Sequence, residues 1–230
     1  MHIHVVPILN DNYAYIIQSD TEVAVVDPGE AAPIIDFLND HGLHPDWIIN
    51  THKHGDHING NVQLMDAFDC KLAAPAECEG NKDYVLEDGD LFPVGNLGFQ
   101  ISLTKGHTGG HIVLYEPHHN ILFSGDTLFA MGCGRLFEGE SHDMFQAMKY
   151  IKSLPPQTKI YCGHEYTRAN ADFARHILPD NAEISRRHKE VQSVDCTMPT
   201  TVAQELKTNP FLIARDVSEF AKYRQAKDNF

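Results

Sequence analysis

Three histidines and one aspartate fall within six consecutive positions of this chain, in the stretch Thr51–His57 with the sequence THKHGDH. Imidazole and carboxylate groups are the ligands of zinc, iron and manganese, and the thiolates of a purely structural zinc site are missing from this stretch. The H-x-H-x-D-H spacing predicts a turn, because an extended strand would send alternate side chains to opposite faces. A histidine-rich surface loop is the other interpretation, but matching ligands elsewhere in the chain favour a metal site.

Four β-prone runs each end at a side chain that can bind a metal ion. The run 47–50 precedes the histidine turn, and three other runs stop at a glycine that is followed by His107, Asp126 or His164. Glycine permits the sharp backbone departure that aims the next side chain over the edge of a sheet. We therefore expect the strand ends to bring these side chains into one pocket.

The candidate ligands are too numerous for one tetrahedral ion. They are His52, His54, Asp56, His57, His107, Asp126 and His164. If one carboxylate bridges two ions, each ion receives three further ligands, and an open position remains for a water molecule. Two ions about 3.5–4 Å apart depress the pKa of that water and stabilise an oxyanion, so the predicted nucleophile is hydroxide. Taken singly, His107 or His164 would be an ordinary structural or surface histidine.

Composition limits the classes of function that remain. The 230 residues are 42% apolar, enough for a core, and the net charge of −14 argues against general binding to nucleic acid or anionic membranes. The first residues lack a basic stretch followed by an apolar run, and no run approaches the roughly 20 apolar residues of a spanning helix. The five cysteines lack paired C-x-x-C spacing. These features predict a cytoplasmic protein with reduced thiols.

The residue pattern predicts an α/β region followed by helices. Short strands are expected at 4–9, 13–18 and 22–26. Helices are expected at 33–39, 141–154, 169–177, 182–192 and 217–227, with Ser141 as the cap of the second. Strand-like runs vanish from about residue 165 onward. We therefore predict two domains, a metal-binding catalytic domain at 1–164 and a helical substrate-binding domain at 165–230.

The metal-binding motifs resemble those of the metallo-β-lactamase superfamily. They are Thr51–His57, Gly106-His107-Thr108, Gly125-Asp126-Thr127 and Gly163-His164. This resemblance implies an α/β fold, the αββα sandwich with a dinuclear site between its sheet edges, followed here by a small C-terminal all-α domain. Segments spread over nearly the whole chain are similar to one branch, glyoxalase II, the hydroxyacylglutathione hydrolases. These segments are Asp11–Tyr13, Val26–Gly29, Gly125–Phe129, Gly132–Gly139, Tyr161–Thr167 and Asn209–Phe211.

The resemblance also implies a role for each matching residue. The first metal would be held by His52, His54 and His107. The second would be held by Asp56, His57 and His164, with Asp126 bridging the pair. The resemblance implies two divalent ions per chain, with zinc favoured over iron or manganese. Substrate contacts would come from Arg135, Phe137, Tyr166, Arg224 and Lys227. Phe137 stands where many relatives carry tyrosine.

The basic pair near the C-terminus has its own physical interpretation. Arg224 and Lys227 are three positions apart, so a helix would place them on one face, where they could pair with substrate carboxylates. A solvated helix face is an equally good interpretation of the same pattern.

The activity implied by the resemblance is hydrolysis of the thioester S-D-lactoylglutathione to D-lactate and glutathione, the second step of methylglyoxal detoxification. Asp56 would orient the hydroxide that two metal ions share, and the small-molecule substrate would be the partner of a monomer that binds neither nucleic acid nor membrane. The alternative is a glutathione persulfide dioxygenase with a mononuclear iron. A non-catalytic metal-binding protein would tolerate missing ligands, yet all of the expected ligands are present.

Overall fold

A computed structural model of the protein describes residues 1–230. The chain divides into two compact units. The first contains residues 1–103 and 110–118, and the second contains residues 104–109 and 119–230. The functional boundary expected between residues 164 and 165 stays a prediction.

The first unit contains a six-stranded sheet in which the strands lie in chain order. These strands are β1 (His2–Ile8), β2 (Asn12–Gln18), β3 (Val23–Val26), β4 (Trp47–Ile49), β5 (Lys71–Pro75) and β6 (Tyr84–Leu86). The first three are antiparallel, whereas β3 to β6 pair in parallel. The connecting helices are α1 (Ala32–His41), α2 (Gly55–Ile58) and α3 (Asn61–Phe68). Because neighbouring parallel strands point the same way, the residues that follow β3 and β4 lie at one edge of the sheet.

The core of the first unit forms where α1 covers this sheet. Ile34 and Leu38 are fully buried, and Gly42 ends the helix with a left-handed φ of 62°. Three antiparallel strands complete the unit: β7 (Leu91–Val94), β8 (Leu97–Leu103) and β9 (Ile112–Glu116). The rings of Trp47 and Phe92 meet edge to face at 5.0 Å, so these strands pack against the first sheet.

The second unit combines short strands with six helices. Its strands are β10 (Ile121–Gly125), β11 (Leu128–Phe129), β12 (Gly132–Cys133), β13 (Lys159–Cys162) and β14 (Thr200–Thr201). The β10 strand pairs in parallel with β13, β13 pairs with β14, and β11 and β12 form an antiparallel hairpin. The helices are α4 (Ser141–Ser153), α5 (Thr167–Ile177), α6 (Ala182–Val191), α7 (Val202–Thr208), α8 (Pro210–Ile213) and α9 (Val217–Asp228).

The helices predicted from the sequence are present within a few residues of their expected bounds. One detail is wrong: Ser141 is the first residue of α4 rather than its cap. Glu140 holds the cap position, and its backbone N–H donates to the Asp143 carboxylate at 2.9 Å. The strand β14 is a second difference, because no strand was expected beyond residue 165. None of the helices is long and apolar enough to cross a membrane.

Candidate metal and substrate site

The histidine-rich turn of the first unit begins where β4 ends. Residues 52–54 leave the strand and α2 starts at Gly55, so the predicted turn is confirmed. His52 and His57 are at most 1% exposed, while His54 and Asp56 are half-buried. The structure therefore brings together all four candidate ligands of this segment.

Two pairs of possible ligand atoms lie close together in this turn. The Nε2 atom of His52 is 3.0 Å from Nδ1 of His54, and Nε2 of His57 is 3.6 Å from Oδ2 of Asp56. Ligand atoms bound at 2.0–2.1 Å around a tetrahedral ion lie roughly 3.3 Å apart. Each pair therefore has the spacing expected of two ligands on one metal ion.

Asp27, directly after β3, holds this turn in place by hydrogen bonds. Its carboxylate accepts hydrogen bonds from the Thr51 backbone N–H at 2.8 Å and from the Thr51 hydroxyl at 2.7 Å, and it lies 3.0 Å from Nδ1 of His57. Because a carboxylate accepts, His57 donates from Nδ1 and keeps Nε2 available as a metal ligand. Asp27 is itself buried, so this contact is shielded from water.

Asp56 is held by two neighbours that are distant in sequence, one at the start of β2 and one in the loop after β3. The Asn12 amide donates to Asp56 Oδ2 at 2.9 Å and to the Asp56 carbonyl oxygen at 3.2 Å. Gly29 packs so closely that a β-carbon there would overlap the Asp56 carbonyl group. His111, also fully buried, stacks on His52 with ring centroids 4.7 Å apart.

Asp126 is the centre of the second unit's cluster. It follows Gly125 at the end of β10, and its Oδ2 atom lies 3.3 Å from Nε2 of His107 and 3.4 Å from Nε2 of His164. All three side chains are buried. Gly106 and Gly125 adopt φ angles of 139° and 47°, which explains the need for glycine at these two strand exits.

The segment after β12 fixes the orientation of His107. The Arg135 carbonyl oxygen lies 2.9 Å from His107 Nδ1. Since a carbonyl can only accept, Nδ1 donates and Nε2 is directed to Asp126. Gly134 packs against both His107 and the Asp126 carbonyl group, with no room for a β-carbon.

Exposed aromatic side chains flank the histidines of this second cluster. Phe137 is 62% exposed, and its ring centroid is 5.2 Å from that of His107. Tyr166 is 36% exposed and stacks on His164 at 4.6 Å. Arg135 is also exposed. Three of the five expected substrate contacts therefore lie next to candidate metal ligands.

Arg224 has a different environment from the one the sequence suggested. The residue is 4% exposed, and its guanidinium donates to the Cys133 carbonyl oxygen and to the Asp228 carboxylate, both at 2.8 Å. Its guanidinium also lies 5.2 Å from the centroid of the Phe211 ring. The solvated helix face is therefore the wrong interpretation for Arg224, while its substrate role stays a prediction.

Lys227 is half-buried on the same helix. Its ammonium donates to the Ala169 carbonyl oxygen at 3.2 Å and lies 5.2 Å from the centroid of the Phe173 ring. Burial, followed by the nearby Arg224 charge, lowers the pKa of Lys227. A substrate carboxylate placed beside Lys227 would offset the cost of keeping this ammonium charged.

Sequence reasoning missed the supporting roles of Asp27 and Asn12. Asp27 follows β3 in the same way that Asp126 follows β10, so the strand-then-carboxylate pattern contained a usable signal. Asn12 has no comparable signal, because its contact with Asp56 joins positions 44 residues apart.

Comparison with known proteins identifies the family of each part of the chain. Residues 9–164 match the family described as the metallo-beta-lactamase superfamily, and residues 165–230 match the family described as the hydroxyacylglutathione hydrolase C-terminus. A hydroxyacylglutathione hydrolase of Bdellovibrio bacteriovorus is 41% identical, with 99% of this chain and 97% of the relative aligned. One from Ectopseudomonas mendocina is 43% identical, with 92% and 86% aligned.

The fold also matches a solved structure. ETHE1 from Myxococcus xanthus superimposes with a TM-score of 0.77 over 98% of this chain and 90% of its own, at 21% identity, which is a likeness of fold alone. These matches confirm the expected αββα fold with a helical C-terminal region. With its histidine and aspartate cluster for a divalent metal, the chain belongs to the hydroxyacylglutathione hydrolases of the metallo-β-lactamase superfamily.

Proposed function

We propose that this chain is a thioester hydrolase that converts S-D-lactoylglutathione, and related S-acylglutathiones, to the free acid and glutathione. Relatives named hydroxyacylglutathione hydrolase align with nearly its whole length. The structural observation that carries the proposal is the single oxygen of Asp126 within 3.4 Å of both His107 and His164. A carboxylate oxygen shared by two imidazoles suits the bridging ligand of a dinuclear hydrolytic site.

In this proposal the donor set would hold two divalent ions. The residues assigned to the first ion are His52, His54 and His107, those assigned to the second are Asp56, His57 and His164, and Asp126 contributes to both. Nitrogen and oxygen donors suit zinc first, with iron and manganese as alternatives. When bound, such ions supply an ionised water as nucleophile and polarise the thioester carbonyl.

The protein's own groups orient the reaction. Asn12 holds the Asp56 carboxylate in one direction, so Asp56 can accept a hydrogen bond from the attacking water and fix its position. Asp27 and the Arg135 carbonyl keep His57 and His107 in the tautomer that leaves Nε2 for the metal. The leaving thiolate has an unperturbed pKa near ~8.5, so it departs without a proton donor.

The substrate side of the proposal rests on the exposed groups beside the histidines. Phe137 and Tyr166 offer apolar surface next to His107 and His164. Because the protein carries a net charge of −14, an anionic glutathione moiety needs a local cation, and Arg135 supplies one. Arg224 already pairs with a carboxylate, that of Asp228, so a glutathione carboxylate would compete with Asp228 for the same guanidinium.

One experiment tests the proposal directly. Hydrolysis of S-D-lactoylglutathione is followed by thioester absorbance, and divalent metal is quantified on the same sample. We expect turnover with two ions per chain, and loss of both turnover and metal in Asp126→Ala. Samples with two ions per chain that leave the thioester intact would refute the proposal. One iron per chain with oxygen uptake on glutathione persulfide would instead identify the dioxygenase.

We further propose that the enzyme works as a cytoplasmic monomer without a nucleic-acid or membrane partner. The acidic charge and the five cysteines without paired spacing support this setting. Its molecular mass in solution, measured by light scattering, should be that of one 25.8 kDa chain.

A further inference from the structure

The β11–β12 hairpin is held by buried side chains from the helices that follow it in the second unit. The Glu205 carboxylate accepts a hydrogen bond from the Met131 backbone N–H at 2.7 Å. The Asn209 amide donates to the Phe129 carbonyl oxygen at 3.2 Å and to the Gly132 carbonyl oxygen at 3.0 Å. These two side chains therefore bind three backbone groups of a hairpin whose strands are only two residues long.

A third side chain completes the arrangement. The Asn170 amide, on α5, donates to the Ala130 carbonyl oxygen at 3.1 Å. Its side chain also fills the space beside Gly132, where a β-carbon would overlap the amide group. We call Asn170, Glu205 and Asn209 the hairpin clamp. All three are at least 95% buried, so water does not compete for these bonds.

The clamp contains a fully buried charge that is itself fixed in place. Arg187 approaches the Glu205 carboxylate at 2.6 Å, and the Thr200 hydroxyl donates to it at the same distance. The Asn209 amide donates to the second carboxylate oxygen at 3.0 Å. A buried ion pair is weak evidence for net stability, because desolvation offsets its attraction. Its directional bonds do restrict where Met131 can lie.

The hairpin connects directly to candidate metal ligands. Asp126 lies two residues before β11, and Gly134 follows β12 and packs against both Asp126 and His107. The next residue, Arg135, accepts the hydrogen bond from His107 Nδ1. A shift of the hairpin would therefore move the backbone that orients His107 and supports Asp126.

We propose that the hairpin clamp is a set of positioning residues for the metal site. Asn170, Glu205 and Asn209 act through the hairpin, and none of them has to contact metal or substrate. The clamp fixes the path of residues 129–134, and this path fixes the His107 tautomer and the Asp126 carboxylate. The assignment rests on the proposed function for its catalytic consequence, but its effect on metal binding does not require a particular substrate.

The decisive variant is Asn209→Ser. Asn209 has a second role as the cap of α8, where its Oδ1 accepts from the Phe211 N–H at 3.0 Å. Serine is an equally good cap, so the substitution keeps the helix start and removes the amide donor to Phe129 and Gly132. We expect divalent-metal affinity and kcat to fall by about 10–100-fold, as for other groups that support metal ligands. We expect KM to change less than kcat.

Thr201→Ala is the matched control. The Thr201 hydroxyl caps α7 by accepting from the Gln204 N–H at 3.2 Å, so its side-chain bonds stay within the first turn of α7. Loss of this cap should lower Tm by about 2–4 °C. Metal affinity, kcat and the visible spectrum of the Co²⁺-substituted protein should stay at wild-type values. Asn209→Ser should change that spectrum, because the geometry of a ligand has changed.

The two variants separate positioning from general destabilisation. An Asn209→Ser protein with wild-type Co²⁺ affinity and spectrum would overturn the proposal, as would equal losses in Thr201→Ala. If Asn209→Ser does not fold, Asn170→Ala removes the bond to Ala130 and the packing against Gly132, and it should show the same changes at smaller size. If the wild-type chain binds Co²⁺ but does not hydrolyse the thioester, the proposed function is refuted. The Co²⁺ spectra of the variants would still test whether the clamp positions the metal ligands.

Discussion

Asp27 joins three groups whose positions matter to the proposed metal site. It accepts both hydrogen bonds from Thr51 and receives the Nδ1–H of His57, all at 2.7–3.0 Å. Supporting carboxylates of this kind raise the basicity of a histidine ligand as well as orienting it. Asp27 binds no metal in this scheme, but it would strengthen the binding of a metal ion by His57.

We predict that Asp27→Asn lowers divalent-metal affinity by about 10–100-fold while the fold persists. An amide presents an N–H where the carboxylate accepted, so it cannot serve all three partners. Chelator competition measures the affinity. Asp46→Asn is the control, because Asp46 also anchors the sheet, by accepting from the Val23 N–H, but lies beside the opposite end of β3. Equal losses in both variants would assign Asp27 to folding alone.

Arg224 is expected to affect substrate binding rather than metal binding. Arg224→Ala removes the guanidinium proposed to bind a glutathione carboxylate, so KM for the thioester should rise by about 10-fold or more. The substitution also deletes the bonds to Cys133 and Asp228, so Tm should fall. Metal content should remain that of the wild type, because the hairpin clamp still holds the β11–β12 hairpin after the bond to Cys133 is lost.

Steady-state kinetics on the folded variant separates these two effects of Arg224. Arg215→Ala is a suitable control, since Arg215 is exposed and its ion pair is with Glu219, four residues along the chain. A KM unchanged by Arg224→Ala would remove Arg224 from the substrate site and leave it as a packing residue.

Among the elements, α2 depends on one glycine in the loop after β3. Gly29 lies against the Asp56 backbone so closely that any β-carbon would overlap the carbonyl group. A clash with backbone cannot be relieved by a side-chain rotation, so the whole turn has to move. Gly29→Ala should therefore displace Asp56 and His57 together and reduce both metal content and turnover.

The same substitution at Gly80 provides a control for Gly29→Ala. A β-carbon at Gly80 would meet no atom within 4 Å, although its φ of 88° adds some backbone strain. We expect Gly80→Ala to lower Tm modestly and to keep its metal. If the Gly29→Ala protein kept its full metal content and activity, the metal site would not depend on the position of α2 set by Gly29.

Elements with a strong local signal were predictable from the sequence. The strand exits before His107 and Asp126 were predicted because a β-prone run and a glycine mark them. The α1, α5, α6 and α9 helices were likewise expected from their patterning. The β11–β12 hairpin was not, because strands of two residues carry no periodicity and Asn209 and Glu205 hold them from distant positions. The burial of Arg224 was missed for the same reason, since its partner Cys133 is 91 residues away.

The five cysteines are distributed over both units of the protein. Four are buried and one, Cys196, is exposed. Burial raises the pKa of Cys70 and of Cys133 to about 11, and that of Cys78 and of Cys162 to about 12. At neutral pH the four buried thiols are therefore protonated in the folded protein.

These values predict the pattern of thiol labelling. Only the thiolate reacts, and a group with a pKa of 11 is about one part in a thousand ionised at pH 8. We expect one fast thiol, Cys196, in the native protein at pH 8 and five after denaturation. The folded state holds these protons more tightly than the unfolded state does. Each buried thiol therefore lowers the free energy of unfolding as the pH rises from about 9 towards 11.

Titration with a coloured disulfide reagent measures this pattern, and Cys196→Ser should remove the fast phase entirely. Unfolding in guanidinium at pH 8 and pH 10 checks the sign, because the free energy of unfolding should be lower at pH 10 with an unchanged m-value. A second thiol reacting rapidly in the native protein at pH 8 would show that one unit opens more readily than its packing implies. The site of that thiol, read by peptide mapping, would identify the unit, since Cys70 and Cys78 lie in the first and Cys133 and Cys162 in the second.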